Sequence, residues 1–108
     1  MEFEKEIEAY LVKKIKELGG LCWKFTSPGM AGVPDRIVLY QSCVTFVELK
    51  RPGGRLSEIQ KKRIQELDNQ KILVRVVSSK EEVDQVVSEL RVSEFLGDQI
   101  LKDFLNGI

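Results

Sequence analysis

Val44-Thr45-Phe46-Val47-Glu48-Leu49-Lys50 is preceded by Pro34-Asp35, with twelve residues between Asp35 and Glu48. Strand alternation puts Val44, Phe46, Glu48 and Lys50 on one face and Thr45, Val47 and Leu49 on the other. Glu48 and Lys50 then project side by side from the end of an otherwise apolar strand, where a carboxylate is costly to bury without compensation. The run Ile37-Val38-Leu39-Tyr40 predicts a preceding strand opened by Asp35, and Gln41-Ser42 the turn between the two. In such a hairpin, positions whose numbers sum to about 83 face each other, so Asp35 lands opposite Glu48.

Two carboxylates about 4 Å apart repel by about 4 kcal/mol at an effective dielectric of about 20. A hard divalent cation between them reverses that sign, and Mg²⁺ or Mn²⁺ is suited to few carboxylates and several waters. The lysine two residues on can hold or deprotonate a water. Together these are the needs of phosphodiester hydrolysis in a site without histidine. The plainer alternative makes Asp35 a strand-end turn residue and leaves Glu48 and Lys50 paired on an edge. That alternative is adequate for any one residue; the set at this spacing favours chemistry.

Outward from the hairpin, apolar residues at Phe3, Ile7, Leu11, Val12, Ile15 and Leu18 keep the three-and-four spacing of an amphipathic helix, which Gly19-Gly20 stops. Leu21 to Thr26 alternates and predicts a strand, and Ser27 to Pro34 is a turn-rich loop. After Pro52-Gly53-Gly54, a helix from Ser57 to about Leu67 turns Ile59, Ile64 and Leu67 inward. Ile72 to Val77 reads as a short buried strand, and Ser79 caps a helix to about Leu90. A last apolar pattern (Phe95, Leu96, Ile100, Leu101, Phe104, Leu105) predicts a separate terminal helix starting near Gly97-Asp98. The expected fold is α/β, an αβββαβ core with a small mixed central sheet flanked by helices, over residues 1–91, with 92–108 a C-terminal helical extension of the same domain.

At 108 residues the chain has room for one core. Apolar residues at 43% and charged residues at 31% suit a globular protein, and no run is long enough for a membrane span. The charged start, Met1-Glu2-Phe3-Glu4-Lys5-Glu6, does not resemble a secretory signal, so a cytoplasmic location is expected. No histidine is present, which excludes imidazole-based triads and His-ligated zinc. Cys22 and Cys43 form no paired motif and are read as buried reduced thiols. The 17 acids balance the 17 bases, yet Lys50 to Arg63 holds six bases against Glu58 alone. Such a stripe is either an ordinary solvated face or a phosphate grip.

Pro34-Asp35 followed by Glu48-Leu49-Lys50 is the pattern of the PD-(D/E)XK nuclease superfamily. The surrounding Ser27-Pro28-Gly29, Gly32-Val33-Pro34-Asp35-Arg36, Phe46-Val47-Glu48-Leu49-Lys50 and Gln60 resemble the VRR-NUC family, over about residues 4–90. The resemblance implies the restriction-endonuclease-like fold and a metal-dependent endonuclease acting on DNA. It makes Asp35, Glu48 and the main-chain carbonyl of Leu49 ligands for Mg²⁺ or Mn²⁺, with Lys50 placing the attacking water and Gln60 orienting its neighbours. Gln60 equally completes a capping box with Ser57. The family's first-helix glutamate corresponds to Glu8 or Glu4, and Glu8 is preferred because it shares a face with Val12 and Ile15.

Lys24, Ser27, Arg36, Arg51, Arg55, Lys61 and Lys62 are candidate contacts to DNA, mostly to its backbone. Small stand-alone relatives imply a homodimer acting on branched DNA such as four-way (Holliday) junctions, in a bacterial or phage-infected cell. A dimer also has a physical rationale, since one site cuts one strand. Two rival readings remain at this level: a nuclease-fold DNA-binding module with little or no catalysis, and an interaction domain unrelated to nucleic acid.

Overall fold

A computed structural model describes residues 3–107, and the side chains of all of these except 94–99 and 101. Helix α1 (Glu4–Leu18) buries Ile7, Leu11 and Ile15 completely, a stripe at every fourth position. Phe3, expected on that stripe, precedes the helix and stays exposed. Gly19 ends the helix in the left-handed conformation (φ 95°), with its N–H on the Lys16 carbonyl and that of Gly20 on Ile15. Strands β1 (Leu21–Lys24), β2 (Arg36–Tyr40) and β3 (Cys43–Leu49) follow as an antiparallel meander. Helix α2 (Glu58–Asn69) then crosses over to β4 (Leu73–Val77), which pairs parallel to β3. The sheet order is β1-β2-β3-β4.

Gln41 and Ser42 both adopt positive φ (46° and 67°), the paired geometry of a two-residue hairpin turn. The turn sets Tyr40 against Cys43 and Arg36 against Val47, the register expected from the sequence. One face of the sheet carries Val38, Tyr40, Thr45, Val47, Leu49 and Val77, all buried under α1 and the start of α3 (Lys80–Asn106). That helix contributes Val83, Val86 and Leu90 to the core. The two thiols, Cys22 and Cys43, are free and only half-buried at this layer's margin.

The opposite face is covered only in part. No residue of α2 is buried: Ile59 is exposed, and Ile64 and Leu67 are half-buried where the sequence predicts an inward stripe. Strand β4 is likewise an edge rather than a buried strand, with only Val77 buried and Leu73 and Val76 exposed. Its period-free run of β-branched residues reads as buried on both sides, but one short helix shields too little of the second face.

The C-terminal region also departs from expectation. Instead of two helices, α3 is one continuous helix of 27 residues through position 91 and Gly97. No proline interrupts it, and one interior glycine costs only about 1 kcal/mol. Beyond Leu90 every described side chain of α3 is exposed, the apolar Val92, Ile100, Phe104 and Leu105 among them. Phe95, Leu96 and Leu101, part of the predicted terminal stripe, have side chains outside the described residues, as does Glu2. No described helix is long and apolar enough to cross a membrane.

Candidate active site

The open end of the β2–β3 pair assembles the predicted acids. Pro34 is fully buried and leads into Asp35, whose carbonyl accepts the Phe25 N–H at 2.8 Å. The Asp35 carboxylate turns to β3, where its Oδ2 accepts the Leu49 N–H at 2.9 Å. Continuing the observed register by one pair sets Asp35 against Glu48.

Glu48 is 1% exposed, and its Oε2 has no hydrogen-bond partner among the described residues. Burial pushes its carboxyl up to about 8, and hydrogen bonding to and repulsion from the Asp35 carboxyl add to the rise. The Lys50 ammonium lowers it, without offsetting the other effects. Lys50 itself is half-buried, and its main-chain N–H is held by the Val77 carbonyl at 2.9 Å. Two acids therefore converge beside a lysine at the margin of the core, and one carboxylate oxygen is left unsatisfied.

The two first-helix candidates have different surroundings. Glu4, exposed in the first turn of α1, is the helix carboxylate that raises the Glu48 carboxyl. Glu8 does face the sheet, but its Oε2 accepts from Arg36 Nε at 2.9 Å. The N-terminus of α1 lies at the acid end of the sheet, so one turn, about 5.4 Å, carries Glu8 past Asp35 to the level of Arg36. Sharing a face with Val12 and Ile15 places Glu8 inward and says nothing of this axial offset.

Gln60 forms the full capping box, accepting the Ser57 N–H on Oε1 at 2.8 Å while Ser57 Oγ accepts the Gln60 N–H at 3.2 Å. Arg36 is tied to Glu8 with its side chain only 18% exposed, so it is not presented as a free cation. Lys24 is exposed at the end of β1 opposite Arg36. Arg51, Arg55 and Lys62 are exposed, and Lys61 is exposed while bonded to Glu58 at 3.2 Å. Ser27 is half-buried, its carbonyl accepting the Met30 N–H.

Sequence reasoning missed Arg63 as more than one charge of the basic stripe. Its Nε donates to the Ala31 carbonyl at 2.9 Å and its Nη1 to Glu66 at 2.7 Å, bolting α2 to the loop before Asp35. Gly32 belongs to the same seam: at φ +84°, a Cβ there would sit 2.8 Å from the Ile59 carbonyl oxygen. The i,i+3 spacing of Arg63 and Glu66 signals a helix-surface pair but not the bond across to the loop.

Among the described residues, no three His, Cys, Asp or Glu side chains converge into a metal cluster. The protein donors at hand are two carboxylates and main-chain oxygens. That set, with one orphaned carboxylate oxygen, fits a hard ion that keeps much of its hydration, and it does not fit a structural zinc site.

A family model, the VRR-NUC domain, matches residues 4–81, taking in α1, all four strands, α2, Asp35, Glu48 and Lys50. The chain belongs to the VRR-NUC domain family. A solved structure described as a VRR_NUC domain superposes with a TM-score of 0.74 at 28% identity, covering 79% of this chain and 94% of that one. The VRR-NUC chain is also 45% identical over 58 residues to the "Putative nuclease p44" of Acyrthosiphon pisum secondary endosymbiont phage 1. That match spans 53% of this chain and 62% of the phage protein's length. All of α3 after its first two residues lies beyond the part that the family model matches.

Proposed function

We propose that this VRR-NUC protein is a divalent-metal-dependent endonuclease that hydrolyses DNA phosphodiester bonds, with branched DNA such as a four-way junction as its preferred substrate. The observation that carries the reading is the convergence of Asp35 on Glu48, whose buried Oε2 has no partner and whose proton is held to about pH 8. A fold does not keep such a pair for stability, because both burial and mutual repulsion work against it.

Asp35, Glu48 and the Leu49 carbonyl would hold Mg²⁺ or Mn²⁺. The bound ion supplies charge neutralisation at the phosphoryl group and a nucleophile at neutral pH. Lys50, on the Glu48 side of β3, orients the attacking water and offsets charge developing on the phosphoryl oxygens. Gln60 fixes the start of α2 at the rim of the site. Glu4 takes the part of the family's first-helix glutamate, while Glu8 anchors Arg36 and thereby the entry to β2. Arg51, Arg55, Lys61 and Lys62, with Lys24 and Ser27 nearer the loop, grip the phosphate backbone independently of sequence.

The functional unit is proposed to be a homodimer in the cytoplasm of a bacterial or phage-infected cell. Ile100, Phe104 and Leu105, 64–68% exposed on a helix that leaves its own core, support self-association through α3. The deciding experiment is cleavage of supercoiled, flapped and four-way-junction DNA with Mg²⁺ or Mn²⁺. Wild type cuts, whereas Asp35→Asn and Glu48→Gln bind the junction without cutting it. Absence of nicking by clean, folded wild type on every substrate rejects the proposal in favour of a binding module.

A further inference from the structure

A cleft of about 280 Å³ opens between the loop 27–34, β3 and α2, walled by Phe25, Phe46, Pro34, Met30 and Leu67. We infer that this cleft receives an unpaired nucleobase of the nucleotide next to the scissile phosphate. The inference rests on the nuclease reading above and adds a subsite to it.

Position is the first argument. Pro34 lines the cleft and Asp35 follows it directly, while Phe46 lines it and Glu48 stands two residues on, on the same face of β3. Two strand residues span about 6.6 Å, a reach that the sugar between a phosphate and its base can cover. Chemistry is the second argument. The Phe25 and Phe46 rings meet edge-to-face with centroids 5.1 Å apart, so the wall is aromatic and apolar, as a stacking base requires. Arg63 and Glu66 also line the cleft, but they are paired with each other at 2.7 Å and Arg63 further bonds Ala31, so the cleft offers no free cation from Arg63 to hold a phosphate. Ser27 and Gln70 are the uncharged polar groups of the lining, too few to read a base edge, so the site accepts any base.

Rigidity is the third argument. An apolar cleft tends to close on itself, yet here the Arg63 bolt to Ala31 and the contact of Gly32 with Ile59 hold loop and helix in fixed relation. The cleft is thus preformed beside the acids. A base can enter it only after leaving its stack, which is cheapest at a flap, mismatch or junction and most costly in continuous duplex. Preference for branched DNA then follows from the cleft as well as from any dimer geometry.

The test uses wild-type protein with Mn²⁺ and flapped DNA in which each nucleotide flanking the cut is replaced in turn by an abasic residue. One replacement should lower kcat/KM about tenfold, the others little. In EDTA, 2-aminopurine at that same position should brighten on binding wild type, and less so on binding Leu67→Trp, which fills the cleft. Leu67→Trp should also narrow the ratio of flap to duplex cleavage about tenfold. If the plugged variant does not fold, Met30→Ala, altered at the exposed rim, should reduce the same ratio about threefold. Abasic DNA cut as fast as intact flaps at every position overturns the cleft assignment and leaves the nuclease standing. A wild-type protein that cuts no DNA overturns both.

Discussion

Replacing Glu48 by glutamine should flatten the dependence of stability on pH in metal-free protein. The unfolded chain loses the Glu48 proton near 4.5, whereas the folded chain keeps it to about 8. Between those values the unfolded state binds fewer protons than the native one, so stability falls as pH rises. The stabilisation is complete below about 4.5 and gone above about 8, at about 1.4 kcal/mol for each pH unit within the window. From pH 5 to pH 7 the loss is about 2.5 kcal/mol, or about 10–20 °C in melting temperature for a domain of this size. Thermal melts of wild type and Glu48→Gln in EDTA at pH 5, 6, 7 and 8 isolate the effect of the Glu48–Asp35 pair, because carboxylates away from it contribute equally to both. On the proposed function a divalent ion binds the ionised pair, so Mn²⁺ at 100 times its Kd should restore about 2.7 kcal/mol to wild type at pH 8 and much less to the variant. Parallel pH profiles for the two proteins, or equal Mn²⁺ shifts, would refute the claim that the buried carboxyl is the strained group.

Arg51→Ala combined with Arg55→Ala should weaken junction binding uniformly across sequences and reduce the slope of log Kd against log salt by about 2, measured by fluorescence anisotropy; an unchanged slope removes these residues from the interface. Leu11→Ala, at a fully buried α1 position, should cost about 2–5 kcal/mol by urea melting, while Phe3→Ala, exposed before the helix, should stay within about 0.5 kcal/mol. Asp35→Asn should fold with near-wild-type stability because an amide oxygen can still accept the Leu49 N–H, yet cleave nothing; Asp35→Ala should lose cleavage and also about 1–3 kcal/mol. Equal stability of the two variants would mean that the Asp35 bond to Leu49 contributes nothing.

The hairpin and its register were legible because three local signals agreed: alternation in 44–50, an apolar run in 37–40, and a two-residue spacer between them. The capping box at Ser57 and the N-cap at Ser79 were legible for the same reason, since caps are decided within four residues. What was not legible depends on distance across the fold. Whether β4 is buried is set by how much sheet α2 can cover, and the pairing of Glu8 with Arg36 is set by where the helix axis lies over the sheet. The bond from Arg63 to Ala31 joins positions 32 apart, and no periodicity encodes it. Gly97 reads as punctuation and predicts a break, yet α3 continues through it because glycine alone is a weak breaker inside a helix.

Asp35 also shows why the plain and the functional readings of a strand-end acid need not compete. Its carbonyl continues the ladder to Phe25 while its carboxylate replaces the bond that Leu49 would otherwise lack, so the residue closes two strands at once. That structural duty occupies Oδ2 and fixes the carboxylate's orientation toward Glu48. A neutral cap would serve the same duty without repelling a buried neighbour, and asparagine is available for it. A charged side chain here raises the Glu48 carboxyl and so opposes ionisation of the pair, an opposition that the proposed shared cation would offset. Structure fixes the position of the acid, and chemistry accounts for its charge.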